Sequence, residues 1–144
     1  MCKNRSLSLL LTGLLVVARA HPLLAQELCQ DFETRFIYSG KTKSESVSAC
    51  AIESPQGLLF TSPSCMTSDT CQMRKTLQST TIPQNQIFKS IGSPHFHVCH
   101  IMGWNPKIIE VKWKERWQKI SICRDPSSDE FFDATTLLKI VLKK

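Results

Sequence analysis

The densest group of ligand-type side chains is His95, His97, Cys99 and His100. On a strand, alternate positions share a face, so His95, His97 and Cys99 would line up and could hold copper or zinc. On a helix only His97 and His100, spaced i and i+3, would be neighbours. The local signals favour the helix: Ser93 offers an N-cap, Pro94 suits the first helical position, and Gly103 suits the position just past the end. Two imidazoles make a sparse site, and an oxidised Cys99 has no thiolate to contribute. His95, His97 and His100 therefore stand as the candidates for an alternative reading, a small metal-binding protein.

Nucleophilic catalysis finds less support. Cys99 with His97 or His100 resembles a nucleophile and base on paper, but the pairing needs a free thiol. No G-x-S-x-G elbow accompanies the serines. The acids Asp125, Asp129, Glu130 and Asp133 crowd in and just after one turn, which suits a solvated turn better than a carboxylate pair. No catalytic residue and no cofactor is assigned, and a secreted hydrolase of unrecognised type stays as an alternative.

The more promising chemistry surrounds Trp117. Lys112, Lys114, Arg116 and Lys119 flank this indole. Cations beside an exposed ring suit an acidic protein surface, an anionic glycan or a lipid headgroup. Nucleic acid would follow the same physics but is not favoured by a mildly basic chain. The competing arrangement folds Trp117 back over Trp113 and leaves the lysines to solubilise an edge strand.

The elements that must position these residues are framed by export and by cysteine. Lys3 and Arg5, the apolar run Leu7 to Val17, and Ala18-Arg19-Ala20 have the pattern of a secretory signal peptide over residues 1–25, with cleavage after Ala20 or Ala25. The apolar run is about half of the ~20 residues a membrane-spanning helix needs, and no later stretch approaches that length. The expected product is an exported single domain, residues 26–144, secreted or periplasmic. Losing Lys3, Arg5 and Arg19 lowers the formal net charge from +6 to +3. Cys2 leaves as well, so Cys29, Cys50, Cys65, Cys71, Cys99 and Cys123 remain, an even set that reads as disulfides in an exported chain. No C-x-x-C occurs among the 144 residues, against a thiol-redox motif or a zinc ribbon.

Glu33 to Tyr38 suggests a strand ended by Ser39-Gly40-Lys41. Val47 to Glu53 and Leu58 to Ser62 suggest a hairpin around Ser54-Pro55-Gln56-Gly57. Thr67-Ser68-Asp69 opens an expected helix running to about Gln78, and Thr80 to Lys89 is expected to be loop leading into a short extended piece. A second hairpin is expected with Trp113 opposite Gln118 and Lys114 to Trp117 as its loop. That register puts Ile109, Val111, Trp113, Ile120 and Ile122 on one apolar face, and a shift of one residue would mix the faces. Residues 134–142 suit a helix, with Leu138, Val141 and Leu142 on one side, although their Thr, Ile and Val content also suits a strand.

Ser93-Pro94, Cys99, Gly103, the apolar hairpin and Cys123-Arg124-Asp125 together resemble a family of small exported bacterial domains of undefined function that carry a haemolysin label. The resemblance spans about residues 93–133. That family typically has a second glycine where Trp104 stands here, and an Asp-Gly turn where this chain reads Asp125-Pro126. The resemblance implies a Cys99–Cys123 pair clamping a helix to the neighbouring hairpin.

The expectation is an α+β fold: a small disulfide-stabilised domain of antiparallel hairpins with short helices packed on one face. The expected function is non-enzymatic binding of a partner protein or an anionic cell-surface component through the hairpin tip.

Overall fold

The computed structural model describes residues 27–143 apart from residue 68, with positions 27, 37 and 38 described for backbone only. The expected signal peptide, residues 1–25, and its expected cleavage sites lie outside the described residues.

Among the described residues, six strands form one antiparallel sheet in the order β3-β2-β1-β4-β5-β6. The strands are β1 (Glu27–Tyr38), β2 (Lys41–Ser54), β3 (Gly57–Thr61), β4 (Asn105–Trp113), β5 (Arg116–Arg124) and β6 (Phe131–Asp133). Among the described residues there are also four short α-helices, α1 (Gln72–Ser79), α2 (Gln84–Ile87), α3 (Pro94–Ile101) and α4 (Ala134–Leu142), and one 3-10 turn at Pro63–Cys65. The sheet is two three-stranded meanders. They meet between β1 and β4 through only two residue pairs, Thr34 with Val111 and Arg35 with Glu110.

Turn chemistry fixes the first meander. Ser39 and Gly40 both have positive φ (50° and 75°), the conformation of a two-residue hairpin turn whose twist matches its strands. β2 then runs from Lys41, well before the expected Val47, because full pairing with β1 makes its polar first half extended. The hairpin at Pro55-Gln56 forms as expected, with Ser54 opposite Gly57.

The second meander differs from expectation by two residues. Trp113 pairs with Arg116, Val111 with Gln118 and Ile109 with Ile120, so the loop is only Lys114-Glu115. Both loop residues have positive φ (46° and 62°). A primed turn of this kind fits strand twist but is usually announced by Asn or Gly, which this sequence lacks. A slip of two keeps every side chain on its expected face, and Ile109, Val111, Trp113, Ile120 and Ile122 are all buried. It also moves Trp117 out of the loop and into β5, opposite Lys112 on the outer face.

The sheet curls until its edge strands meet. The Ser62 N–H donates to the Phe131 carbonyl at 3.0 Å, as does the Thr61 hydroxyl at 3.0 Å. The enclosed core is built from strands alone: Phe32, Ala49, Ala51, Phe60, Ile109, Val111, Trp113, Ile120, Ile122 and Phe131. Phe32 meets Phe60 edge-on with ring centroids 5.4 Å apart, and Phe60 meets Phe131 at the same distance. The hairpin's apolar face thus points into the curl, where the opposite strands cover it, and not towards the helices. The domain is correspondingly richer in sheet than a hairpin-and-helix α+β arrangement suggests.

The helices form a second core on the outer side of β5 and β6. Met73, Leu77, Ile87, Val98 and Leu137 pack there against Trp104, Cys123 and Phe132. Residues 134–142 are helix: the Asp133 carboxylate accepts the Thr136 N–H at 2.8 Å as its cap. α3 spans its expected residues, followed by Gly103 at φ 74°. α1 begins later than expected, at Gln72, because its first amides are satisfied from a distance. Glu130 accepts from Gln72 N–H (3.1 Å) and Met73 N–H (2.9 Å), placing a carboxylate at the positive end of the helix. Residues 84–87, expected to be loop, form the single turn of α2.

Three disulfides tie these layers: Cys29–Cys50 across β1 and β2, Cys65–Cys71 before α1, and Cys99–Cys123 between α3 and β5. The last is the pair implied by the sequence resemblance.

Candidate functional site

The five residues around the β4–β5 turn do not form one cluster. Lys112, Trp117 and Lys119 share the outer face, Lys114 sits in the turn, and Arg116 lies on the opposite face, across from Trp113. Much of the positive charge is already partnered. Lys112 faces Glu33 (3.6 Å) and Glu115 (3.8 Å), and Lys114 pairs with Glu53. Arg116 and Lys119 have no ion pair among the described residues. Exposed pairs of this kind contribute about 0–1 kcal/mol, so they lower net charge more than they add stability.

Trp117 does not stack on Trp113, which points inward beside Phe32 with centroids 5.9 Å apart. Its ring instead lies under the guanidinium of Arg35, 4.0 Å from centroid to Cζ. Arg35 is held in turn by Glu110 at 2.6 Å, the neighbour it meets at the β1–β4 junction. Beside this stack, Arg35, Ile108, Glu110 and Lys119 contribute to a shallow depression of about 170 Å³. Ile108 is 51% exposed within it, a large apolar side chain that no helix covers. The outer surface of β1, β4 and the first half of β5 is therefore a bare sheet face carrying a half-buried Trp, an exposed Ile and an ordered Arg. Sequence reasoning finds Trp117 and Lys119 but misses Arg35, Ile108 and Glu110. Their signal is the outward parity of β4, and the β1–β4 neighbourhood that adds Arg35 leaves no local trace.

The histidine segment is helical, and His95 and His97 each engage one ring nitrogen, Nδ1, in local structure. His95 Nδ1 bonds the Ser93 hydroxyl at 2.8 Å, and His97 Nδ1 bonds the Ile87 carbonyl at 2.6 Å. A side chain at Gly92 would press to 2.7 Å from His97 Nε2, so His97 pins the loop before α3. Cys99 is disulfide-bonded and His100 is exposed. Among the described residues the grouping with ligand spacing is Cys65, Cys71 and Glu130, whose two sulfurs are joined to each other.

A concave site opens at one end of the curled sheet. About 320 Å³ of space is lined by Phe36, Val47, Phe60, Ile109, Ile122 and Phe131, with Lys107 and Arg124 at its rim. No helix among the described residues is long and apolar enough to cross a membrane.

No family model, curated protein or solved structure matches this chain.

Proposed function

We propose that this chain is an exported, non-enzymatic binding domain that contacts a partner protein through the outer face of β1, β4 and β5. The observation that carries the reading is the uncovered Arg35–Trp117 stack beside Ile108. Trp and Arg are the residues most enriched at the energetic centres of protein interfaces, and an apolar centre with a charged rim is the usual anatomy. Here Lys119, Glu110 and the Lys112–Glu33 pair supply the rim. The neutralised lysines favour a protein partner over a purely anionic surface, which would select unpaired cations.

The test is retention of the purified, disulfide-bonded domain on envelope fractions of the organism that makes it. Trp117→Ala and Ile108→Ser are expected to lower retention by about tenfold each, the effect of losing ~1.4 kcal/mol, with melting temperature nearly unchanged. Raising the salt should weaken binding only modestly. Equal retention of wild type and both variants, or no retention of the wild type, would overturn the reading. Loss of binding at high salt with no effect of Ile108→Ser would transfer it to an anionic surface component.

A further inference from the structure

We infer that the open end of the curled sheet is a second binding site, for a small amphipathic monoanion with an apolar tail and a carboxylate head. The site is distinct from the Trp117 face, because its strand lining points inward where Trp117 points outward, and Phe36 alone borders both depressions.

The floor comes from alternation along the strands. Phe36, Val47, Ile109 and Ile122 all belong to the inward set, and Phe60 and Phe131 close the far side where β3 meets β6. At this end the strand-built core stops short, leaving about 320 Å³, near the lower limit of ~300–1,000 Å³ for small-molecule pockets. Thr34, Ser46 and Ser48 share the lining, but the phenyl and branched aliphatic groups of the floor are what would take up hydrocarbon.

The head group is specified at the rim. The ammonium groups of Lys43 and Lys107 converge on the half-buried ring of Phe36, 5.8 and 5.9 Å from its centroid. Neither has an ion pair among the described residues. Two like charges gathered at one ring, beside an apolar opening, leave an attraction for an anion that the protein does not itself satisfy. Arg124 stands on the same rim but is engaged by Asp129 at 3.3 Å. Glu45 also lines the opening. Within the lining Lys107 and Arg124 balance Glu45 and Asp129, so the one positive charge in excess is that of Lys43, which stands outside the lining at the Phe36 ring, and it suits a monoanion. The tail would fill the aromatic end and the carboxylate would sit between the two lysines.

The experiment uses the intact oxidised domain and two probes of equal chain length, decanoate and decanol, followed by calorimetry and by amide shifts. Decanoate is expected to bind about tenfold more tightly than decanol, the worth of one charge-assisted contact at a partly exposed site. Shifts should centre on Phe36, Val47 and Ile122. Lys43→Gln with Lys107→Gln, both on exposed side chains, should abolish the preference and leave decanol binding in place. Val47→Phe should weaken both probes by filling the cavity. Trp117→Ala should change neither, which separates this inference from the proposed partner contact. Equal binding of the two probes, a preference that survives the lysine substitutions, shifts confined to the helices, or no decanoate binding would each overturn it.

Discussion

At the scale of the residue, the two tryptophans of the β4–β5 hairpin differ in burial and so in their expected weight in stability. Trp113 is buried in the strand core, so Trp113→Ala is expected to cost about 3–5 kcal/mol in denaturant unfolding. Trp117 lies half-buried under Arg35, and Trp117→Ala should cost no more than about 1 kcal/mol. Asp133 is the other informative side chain. Burial raises its pKa above the usual aspartate range; hydrogen bonds from Thr136 and Thr135 and the nearby His95 pull downward without offsetting that burial. The folded state therefore holds this proton more tightly than the unfolded chain. Its contribution to stability is full below the ordinary carboxylate pKa and is lost as pH rises through the elevated folded value. Asp133→Asn keeps an oxygen to accept the Thr136 N–H, and denaturation across pH 4 to 7 should show it losing less stability on going to neutrality than the wild type does.

At the scale of the element, what could be read from the chain depended on how local the cause was. The α3 boundaries fall where Ser93, Pro94 and Gly103 place them, although the Ser93 hydroxyl bonds His95 Nδ1 and caps no backbone amide, and the inward set of the hairpin follows from alternation, so both are legible. The turn length is not, because Lys114 and Glu115 adopt a conformation that neither residue prefers. That strain makes a prediction: Glu115→Gly should raise stability by about 1 kcal/mol, since a left-handed non-glycine residue costs ~1–2 kcal/mol and the exposed Lys112–Glu115 pair offsets little. The start of α1 is likewise hidden. Its N-cap is Cys71, whose sulfur accepts the Arg74 N–H at 3.3 Å, but its first two amides bond Glu130, 58 and 57 positions away, and no short window of sequence contains those partners. The long β2 is hidden for a related reason, its polar half being extended only because β1 lies beside it.

At the scale of the whole molecule, two cores share one sheet. The curl buries an aromatic and aliphatic set between strands, and the helices bury another against the outer side of β5 and β6. Cys99–Cys123 fastens α3 to that outer side across a separation of 24 residues. Replacing both cysteines by serine should lower stability by about 3 kcal/mol, chiefly by freeing the unfolded chain, and should loosen the helical layer before the strand core in amide exchange. The helices cover only one part of the outer surface, and it is this partial coverage that leaves Arg35, Ile108 and Trp117 without a helix over them, the arrangement on which the proposed contact rests. Acrylamide quenching of the native protein, compared between wild type and Trp117→Phe, tests that arrangement most directly. Trp104 and Trp113 are buried, so the wild type should show a quenchable fraction of emission that disappears in the variant and is shielded when the domain is retained on envelope fractions. A variant that quenches as readily as the wild type would mean that Trp117 is covered and another indole faces solvent, contradicting both the hairpin register and the contact face built on it.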